Sequence, residues 1–369
     1  GGNADANGIG DFKYSVPSGF LALNAANLPE PSITPLNDDI PEDYFNTVLY
    51  TGNEAARSIT GVGFQPDWVW IKRRSSSFAH NIYDVIRGSG KHLSSDSTNA
   101  ESTTTTRLTA FESDGFALGT GTALNQSSGT YVAWNWKAGG SAASNTDGSI
   151  TSSVSANPES GFSIVSYTGT GSNVTVGHGL SSAPEFTIVK GRDVARTWAT
   201  QHKDLSGGTY YIGLETTNAQ LVDGTQYTGF PTNSVINVGT YNSSSGEDYI
   251  AYCFHSVEGF SKFGSYVGNG STDGTFVYTG FRPAWVMLKR TDNSFGGDWY
   301  MRDSARDPHN VVDGQLFANG SVAESTSTTL DFTSNGFKIR SSAVNYNASG
   351  SPYIYLAFAK QPFKYANAR

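Results

Sequence analysis

Three stretches of this sequence share one pattern: a proline, an aromatic residue two positions later, alternating apolar residues and a closing lysine. They read Pro66-Asp67-Trp68-Val69-Trp70-Ile71-Lys72, Pro184-Glu185-Phe186-Thr187-Ile188-Val189-Lys190 and Pro283-Ala284-Trp285-Val286-Met287-Leu288-Lys289. Each follows a Tyr-x-Gly by 16 or 17 residues, counted from Tyr50, Tyr167 and Tyr266. A segment repeated in this way predicts a repeated architecture and argues against a single central active site.

The spacing of the copies indicates repeats of domain size. Their prolines are 118 and 99 residues apart, well above the roughly 20–50 residues of a solenoid or propeller unit. A chain of 369 residues is too long for one ordinary core, so we expect each repeat to bury a core of its own.

The pattern within each copy predicts β-strands. The apolar segments are short, β-branched and aromatic, and Gly, Asn and Ser separate them. In the first copy Trp68, Trp70 and Lys72 share one face of the strand and Val69 and Ile71 the other. Because both faces are apolar, we expect a central strand that a neighbouring repeat partly covers. The predicted class is all-β, with three tandem antiparallel β-sandwich (jelly-roll or lectin-like) domains of about 100 residues.

The predicted boundaries follow from the repeats and from the composition between them. Residues 11–16 alternate as a strand does and residues 20–23 read as a short apolar strand, so the first segment looks like the end of a preceding domain. The segments are residues 1–28 (end of that domain), 29–43 (extended polar linker), 44–138 (repeat 1), 139–160 (flexible linker), 161–258 (repeat 2) and 259–369 (repeat 3).

Two further signatures recur. A closing strand of Tyr, aliphatic, Ala and aromatic residues begins at Tyr131, Tyr249 and Tyr355. Repeats 1 and 3 also share a Phe-x-Ser-Asp/Asn-Gly-Phe stretch. Its Asp114-Gly115 and Asn335-Gly336 steps predict hairpins, because glycine supplies the positive φ that tight turns require.

Composition excludes several classes of function. Only 15% of the residues are charged and the net charge is −8, against roughly 25% charged residues in an average globular protein. Without a basic cluster beyond Lys72-Arg73-Arg74, sequence-independent nucleic-acid binding is set aside. Cys253 is the sole cysteine, which excludes an internal disulfide, and we predict a buried small hydrophobe there. No apolar run reaches the roughly 18–20 residues of a membrane span.

No cluster of residues predicts catalysis or a cofactor. The six histidines lack metal-ligand spacing, and we interpret each as a surface or loop residue: His80, His92, His178, His202, His255 and His309. Residues 303–310 hold Ser, Asp and His close together, but a catalytic triad needs a spatial arrangement, so we interpret them as a polar loop. The Asp/Asn-rich turns at 292–293 and 303–313 could hold Ca²⁺, yet solvated turns explain them more simply. We predict no enzyme activity, no cofactor and no metal.

Aromatic residues are the one class with a functional alternative to the core. Trp68, Phe186 and Trp285 recur at one position, so we predict that they are core residues. Aromatic residues that do not recur are better candidates for stacking on a sugar. The candidate ligand-binding residues are Tyr210, Tyr211, Tyr227, Trp299 and Tyr346. We expect function where the copies disagree, in residues 192–248 and 291–325.

Three stretches carry a resemblance to a known group of proteins. They are residues 11–31 (Asp11-Phe12-Lys13-Tyr14-Ser15-Val16 to Leu28-Pro29-Glu30-Pro31), Phe276-Val277-Tyr278-Thr279-Gly280-Phe281-Arg282-Pro283-Ala284-Trp285 and Ala357-Phe358-Ala359-Lys360-Gln361-Pro362-Phe363. The copies resemble tandem β-sandwich repeats in structural and fibre-like virion proteins of tailed, often marine, bacteriophages. Residues 1–28 resemble the last strands of the SPRY, lectin-like module that often precedes such repeats. The resemblance implies an extracellular virion surface protein and brings no catalytic residues with it.

The first functional hypothesis is a non-enzymatic virion structural protein, a tail fibre or appendage that contacts the host surface. The expected partners are a host cell-surface glycan or receptor, other virion proteins and further copies of the chain, a trimer being one arrangement. The alternatives are a head decoration or spacer protein and a cellular surface adhesin. A glycan depolymerase would need opposed carboxylates, for which the sequence offers no support. Since the chain begins without Met or a signal peptide, we expect residue 1 to lie within a longer precursor.

Overall fold

Strands carry almost all of the regular structure, as the short apolar segments predict. The computed structural model describes residues 1–366, so residues 367–369 of the predicted repeat 3 lie outside the described residues. The α-helices are two single turns, α1 (Thr122–Asn125) and α2 (Val344–Asn347). The 3-10 turns are Ala25–Asn27, Pro35–Asn37, Pro41–Asp43, Thr240–Ser243 and Phe363–Tyr365. The all-β class is confirmed.

Repeat 1 folds as two layers. Its strands are β1 (Phe45–Thr51), β2 (Arg57–Thr60), β3 (Trp68–Arg73), β4 (Asn81–Asp84), β5 (Lys91–His92), β6 (Ser102–Thr103), β7 (Leu108–Glu112), β8 (Gly115–Leu118) and β9 (Thr130–Trp136). The main antiparallel sheet has the order β1-β9-β3-β4, a smaller sheet has the order β2-β8-β7, and β5 pairs with β6. Ile59, Val69, Ile71 and Phe116 fill the space between the main and the smaller sheet.

Repeat 2 has the longest sheet. Its strands are β10 (Ala143–Asn145), β11 (Ser152–Asn157), β12 (Phe162–Thr168), β13 (Val174–Gly177), β14 (Phe186–Gly191), β15 (Ala199–His202), β16 (Tyr210–Gly213), β17 (Leu221–Val222), β18 (Val235–Val238) and β19 (Asp248–Phe254). The main sheet has the order β10-β11-β12-β19-β14-β15-β16-β17, and β13 pairs with β18. Residues 139–160, predicted as a flexible linker, therefore supply two strands. Ser152 and Val154 point inward and Ser153 outward, an alternation that the small polar residues conceal in the sequence.

Repeat 3 returns to the plan of repeat 1. Its strands are β20 (Ser261–Val267), β21 (Phe276–Tyr278), β22 (Phe281–Arg290), β23 (Tyr300–Asp303), β24 (Gly314–Phe317), β25 (Ser325–Thr326), β26 (Leu330–Thr333), β27 (Gly336–Ile339) and β28 (Pro352–Pro362). The main sheet has the order β20-β28-β22-β23-β24-β25 and the smaller sheet the order β21-β27-β26.

The recurring tyrosines meet inside each repeat. The ring of the Tyr-x-Gly tyrosine stacks on a tyrosine of the closing strand, as Tyr50 does on Tyr131 with centroids 4.9 Å apart. In repeat 3 the stacked pair is Tyr266 and Tyr353, at 4.8 Å. The sequence alignment that starts this closing strand at Tyr355 is therefore wrong by two residues. The glycine of the motif is needed because a Cβ on Gly52 would lie 2.2 Å from the carbonyl oxygen of Gln126.

Both predicted hairpins are present, but their glycines serve a second purpose. Gly115 and Gly336 are the first residues of β8 and β27, paired with the last residues of β7 and β26. A Cβ at either position would lie 2.0 Å from a carbonyl oxygen of the neighbouring strand, that of Ile59 or Val277. Gly115 has the predicted positive φ, +141°. Both glycines are required because a third strand, β2 or β21, approaches the backbone closely.

The outer faces of the three main sheets meet in one apolar core. The motif residues Trp68, Phe186 and Trp285 are almost fully buried there, which confirms the prediction that they are core residues. Rings from different repeats are in contact: Trp68 lies 4.7 Å from Tyr252. Strand β3 is thus covered on its second face by neighbouring repeats, as its sequence indicates.

The N-terminal segment differs from its prediction. Residues 11–16 and 20–23 form no strand, and the bridge of Asn3 with Phe12 is the sole β pairing within residues 1–28. Residues 29–43 are docked instead of extended, since Ile33 enters the shared core and Glu30 pairs with Lys364 at 2.8 Å. Two of the prolines that indicate a linker, Pro31 and Pro41, are buried, and the turn Pro41–Asp43 contacts β28.

The motif lysines join each repeat to another. Lys72 Nζ donates to the carbonyl of Ser321 at 3.1 Å, Lys190 Nζ to that of Thr98 at 3.1 Å, and Lys289 Nζ to that of Thr217 at 2.9 Å. The contacts run from repeat 1 to 3, from 2 to 1 and from 3 to 2, so they close a ring. Burial lowers the pKa of Lys72 and Lys190 to about 8 and that of Lys289 to about 7.

A ring nitrogen makes a second set of contacts in the same direction. Trp198 Nε1 donates to the Ser94 carbonyl at 2.9 Å, and Trp299 Nε1 to the Gly213 carbonyl at 3.1 Å. In repeat 1 the equivalent residue is His80, whose Nε2 lies 2.8 Å from the Phe317 carbonyl. The three contacts give the body an approximate threefold arrangement within one chain.

Networks of acidic and basic side chains line two of the three junctions, which we call seams and name by the repeats they join. In seam 1/2 Asp84 and Arg87 pair at 2.5 Å with both side chains fully buried, and Arg87 also reaches Glu101 at 3.3 Å. Repeat 2 adds Arg192, which pairs with Glu101 at 3.0 Å, and Tyr252, whose hydroxyl donates to Asp84 at 2.8 Å.

Seam 3/1 repeats this network with Asp303 and Arg306 (2.5 Å), Glu324, Arg74 and Trp134. In seam 2/3 the corresponding residues are neutral. They are His202, Leu205, Gln220, Thr291 and Leu356.

Candidate functional site

Three of the five predicted ligand-binding residues are interior residues. Tyr227 is fully buried and its hydroxyl donates to the Ala199 carbonyl at 2.8 Å. Trp299 is also fully buried, in the seam contact described above. Tyr346 is 3% exposed and donates to Gln315 at 2.6 Å. Their rings offer no face to a ligand, so the structure corrects the prediction for these three residues.

The other two residues, Tyr210 and Tyr211, lie on β16 near the edge of the repeat 2 sheet. Strand β16 pairs with β17, the last strand of that sheet, with Tyr210 opposite Val222 and Tyr211 opposite Leu221. Paired residues share a face and consecutive residues alternate, so each face of this edge carries one tyrosine and one aliphatic residue. The tyrosines are half-buried, whereas Leu221 is 42% and Val222 65% exposed. We call the strand pair β16–β17 the apolar edge.

The same position is polar in the other two repeats. In repeat 1 the pairs are Lys91 with Thr103 and His92 with Ser102. In repeat 3 they are Gly314 with Thr326 and Gln315 with Ser325. The outer strand is exposed in all three repeats, so burial does not explain the Leu-Val pair of repeat 2. Contiguous exposed apolar residues are typical of contact surfaces, and among these three equivalent positions Leu221 and Val222 provide them in repeat 2.

Polar side chains hold the loops beside the apolar edge. Gln201 Nε2 donates to the carbonyls of Gly208 and Gly229, at 2.6 and 3.2 Å. Asn237 Nδ2 donates to the carbonyl of Phe230 at 2.6 Å, and the Phe230 side chain is 40% exposed. These contacts fix the loops 206–209 and 229–230 against each other and keep a third apolar residue at the surface of repeat 2.

The electrostatics of the apolar edge are those of a neutral surface. Burial raises the pKa of Tyr211, with the charge of Asp223 adding to the effect, so its hydroxyl remains a neutral donor and acceptor. Asp223 accepts hydrogen bonds from the backbone and the hydroxyl of Thr225, at 2.8 and 2.7 Å. The edge can therefore pack against apolar atoms and hydrogen-bond at its rim, and it holds no pair of groups arranged for acid–base chemistry.

The sequence alone does not reveal Leu221, Val222 and Phe230. Leu221-Val222 reads as an ordinary buried strand, and its exposure becomes notable only after the equivalent Ser-Thr pairs are known from the structure. One signal in the sequence could reveal the pair: Ala100-Glu101-Ser102 of repeat 1 matches Ala323-Glu324-Ser325 of repeat 3. When this match is extended to repeat 2, Leu221 aligns with the two serines.

The histidines contradict their interpretation as surface residues in four cases: His80, His178, His202 and His255 are buried. Burial lowers the pKa of His80 and His92 to about 4 and that of His202 to about 3. The stretch 303–310 is likewise no plain surface loop, because it supplies the buried Asp303 of seam 3/1. Cys253 is buried, as predicted, and burial raises the pKa of its thiol to about 12.

Across the part of the chain that the structure describes, no three His, Cys, Asp or Glu side chains are grouped so that they could hold a metal ion. None of the helices within residues 1–366 has the length and apolar character required to cross a membrane.

A family model described as a domain of unknown function, DUF7483, matches residues 40–362. The chain belongs to this family. The match begins just before β1 and ends at the last residue of β28, so the family unit contains all three repeats and their seams. No curated protein and no solved structure matches the chain.

Proposed function

We propose that this protein is a non-enzymatic virion surface protein, part of a tail fibre or similar appendage, whose apolar edge contacts a glycan or receptor on the host cell. The observation that carries the contact is the exposed Leu221-Val222 pair with its two tyrosines, at a position that is polar in the other repeats. The resemblance of the repeats to virion proteins supports the extracellular setting.

The chemistry of the apolar edge suits a saccharide. A half-exposed tyrosine beside an aliphatic side chain offers a flat apolar surface with a hydroxyl at its rim. Thr209, Thr225 and Asp223 surround the strand pair with donors and acceptors of hydrogen bonds. We propose that each repeat is a lectin-like sandwich and that the three repeats share one core.

A binding experiment with the intact chain tests the contact. The triple variant Tyr211→Gln, Leu221→Ser, Val222→Thr gives repeat 2 the residues of repeat 3. We expect it to lose at least tenfold in binding to host cells, measured by flow cytometry of the fluorescently labelled protein. Its stability should fall by no more than about 1–2 kcal/mol, because Leu221 and Val222 are exposed and Tyr211 is only half-buried against the repeat 2 core.

The matched control is Ser325→Ala with Thr326→Ala, at the equivalent edge of repeat 3. This variant should bind as the unaltered protein does. Undiminished binding by the triple variant would remove the apolar edge as the contact surface. Release of reducing ends from host capsule by the unaltered chain would contradict the non-enzymatic part of the proposal.

A head decoration or spacer protein is the second candidate function. The observation that favours it is the shared core, which joins the three repeats into one body suited to a structural block. Gold-labelled antibody in electron micrographs of the particle distinguishes the two, since label on the tail supports a fibre and label on the capsid supports decoration. Label on a cell surface in the absence of particles would indicate an adhesin.

The proposed partners include other virion proteins and further copies of the chain. A homotrimer is the arrangement we expect for a fibre, and the approximate threefold order inside one chain neither requires nor replaces it. Analytical ultracentrifugation of the purified chain measures the copy number directly.

A further inference from the structure

A cleft of about 370 Å³ lies between repeat 3 and the docked N-terminal segment. This volume falls within the range of about 300–1,000 Å³ that is usual for small-ligand sites. Pro31 and Pro362 lie at its base, where a Cβ on Gly259 would come within 2.6 and 3.3 Å of their side chains. The cleft is remote in sequence from the apolar edge, and nothing in the proposed function uses it.

One wall of the cleft is an aromatic ring presented to solvent. Tyr278, on β21, is 59% exposed, and Phe363 lines the cleft as well. Gly280 follows with a φ of +87°, and a Cβ there would lie 3.7 Å from the Tyr278 hydroxyl. The positive φ favours glycine at this turn, and the exposed ring of Tyr278 gives a flat ligand a surface to lie against.

The rim of the cleft carries one acidic and one basic side chain that are not used elsewhere. Within residues 1–366 neither Glu258 nor Lys262 makes an ion pair or a side-chain hydrogen bond. The second lysine of the lining, Lys364, is neutralised by Glu30 at 2.8 Å and also donates to the Leu28 carbonyl at 3.1 Å. The cleft as a whole is therefore neutral, with a free acceptor and a free donor beside an aromatic surface.

We propose that this cleft binds a neutral saccharide unit, with its apolar face on Tyr278 and its hydroxyls shared between Glu258 and Lys262. A carboxylate accepts from sugar hydroxyls and an ammonium group donates to them, so the pair fits neighbouring hydroxyls without demanding a charge on the ligand. Because Glu258 and Lys262 offset each other in charge, the cleft gives no net electrostatic attraction to a uronic acid, a phosphate or a basic peptide. The volume, near the low end of the usual range, suits one or two sugar units.

Saturation-transfer NMR on the whole chain tests this proposal. The probes are the methyl glycosides of glucose, galactose, mannose and N-acetylglucosamine, with glucuronic acid and a proline-rich peptide for comparison. We expect at least one neutral glycoside to receive saturation, Tyr278→Ala to weaken it at least tenfold, and Glu258→Gln to weaken it several-fold. Phe276→Ala is the matched control, because Phe276 is exposed on the same strand and face (44%) but does not line the cleft.

The outcomes separate this site from the apolar edge. Saturation that survives in the Tyr211/Leu221/Val222 variant and disappears in Tyr278→Ala supports the cleft, whatever the host-binding result. If no neutral glycoside receives saturation, if Tyr278→Ala and Phe276→Ala behave alike, or if glucuronic acid or the peptide is preferred, the proposal is wrong. Near-ultraviolet circular dichroism confirms that the variants remain folded.

Discussion

Seams 1/2 and 2/3 occupy equivalent places in the molecule and are closed by different chemistry. In seam 1/2 a buried Asp84–Arg87 pair accepts a hydrogen bond from Tyr252 and extends to Glu101 and Arg192. In seam 2/3 the five equivalent positions are His202, Leu205, Leu356, Gln220 and Thr291. Every charged or hydrogen-bonding member has been replaced together, which indicates that the network is kept or lost as a unit.

The comparison teaches why replacing such a network piecemeal is costly. A buried charge without its partner destabilises a protein strongly, whereas replacing the whole set by neutral residues of similar volume can be nearly neutral in free energy. The chain contains both solutions. At the position equivalent to Tyr252, repeat 3 has Leu356, and the residue that faces it in repeat 2 is His202 instead of an aspartate.

Arg87→Leu gives the largest expected effect. It leaves Asp84 buried without a cation, so we expect the free energy of unfolding to fall by about 3–5 kcal/mol. Burial alone would lower the pKa of Arg87, but Asp84, Tyr252 and Glu101 more than offset it and raise that pKa, which shows how strongly the site favours the cation. Urea unfolding followed by tryptophan fluorescence measures the loss.

The control for this prediction transplants the neutral set. Asp84→His, Arg87→Leu and Tyr252→Leu together copy the three buried positions of seam 2/3 into seam 1/2, while Glu101 and Arg192 stay paired. We expect this variant to recover more than half of the loss. A triple variant as unstable as Arg87→Leu alone would show that the two seams are not interchangeable.

The sequence predicts the cores of the repeats but not the seams, for a physical reason. Trp68, Phe186 and Trp285 recur as the same kind of residue, because an apolar core requires volume at a fixed place, and repetition makes such positions visible. Asp84 and Tyr252 are 168 residues apart. Asp84 belongs to no recurrent motif, and Tyr252 lies in the recurring closing strand, where its ring predicts a core position and not a hydrogen bond to another repeat. Asp303 and Arg306 in sequence look like any polar turn, since nothing local indicates that another repeat will cover them.

The candidate site shows the same limit from the opposite direction. The absence of recurrence predicts Tyr210 and Tyr211 as ligand-binding residues, and they lie at the apolar edge. The same rule predicts Trp299, yet Trp299 is equivalent to Trp198. The equivalence is hidden because the distance from the motif lysine is eight residues in repeat 2 and ten in repeat 3. A rule based on recurrence therefore depends on an alignment that only the structure supplies.

The acid stability of seam 3/1 should depend on His80. Its Nδ1 accepts from Trp70 Nε1 at 2.7 Å while Nε2 donates to the Phe317 carbonyl, so the ring must be neutral. Burial lowers the folded-state pKa of His80 to about 4, against an ordinary 6.5. The charge of Asp96 partly offsets this shift, whereas the charge of Lys72 adds to it. The unfolded chain therefore binds the proton first. The contribution of neutral His80 to the free energy of unfolding is fully present above pH 6.5. About 3 kcal/mol of it is lost as the pH drops towards 4.

The matched variant gives repeat 1 the pair that repeat 3 uses. Trp70→Met with His80→Trp copies Met287 and Trp299, nearly conserving volume. Unfolding free energies at pH 7, 6, 5 and 4 should fall less steeply in this variant, while His92 and His202 contribute equally to both proteins. Parallel curves would show that His80 is not the titrating group.

The motif lysines should give a dependence of the same sign, but at alkaline pH. Burial lowers the pKa of Lys289 to about 7, whereas a lysine in the unfolded chain keeps its proton to about pH 10.4. The unfolded state thus binds more protons between these values, and stability rises with pH by up to about 1.4 kcal/mol per pH unit for this lysine. Lys289→Met should show a smaller slope from pH 7 to 9.5 in the same urea experiment.

The scan should stop at pH 9.5, because tyrosines of the unfolded chain ionise near pH 10 while burial raises the pKa of Tyr167, Tyr227 and Tyr266 well above that. Above pH 10 the ionisation of tyrosines in the unfolded chain destabilises the fold, and stability then falls as the pH rises. An identical slope in Lys289→Met and the unaltered chain would mean that the ammonium form is not disfavoured inside the seam.

The outer ion pairs should have the smallest effect and define what the buried pairs add. Arg192 and Arg74 are 18% and 24% exposed at the side chain, and solvent screens such pairs, so Arg192→Thr should cost no more than about 1 kcal/mol. The cost should vanish in 1 M salt, where the Debye length is about 3 Å. Conversely, Gln220→Glu with Thr291→Arg adds the pair to seam 2/3 and should gain no more than the same amount, again only at low salt. A salt-independent gain would place the difference between the seams in their outer pairs, whereas the structure places it in the buried aspartate and the residue that faces it.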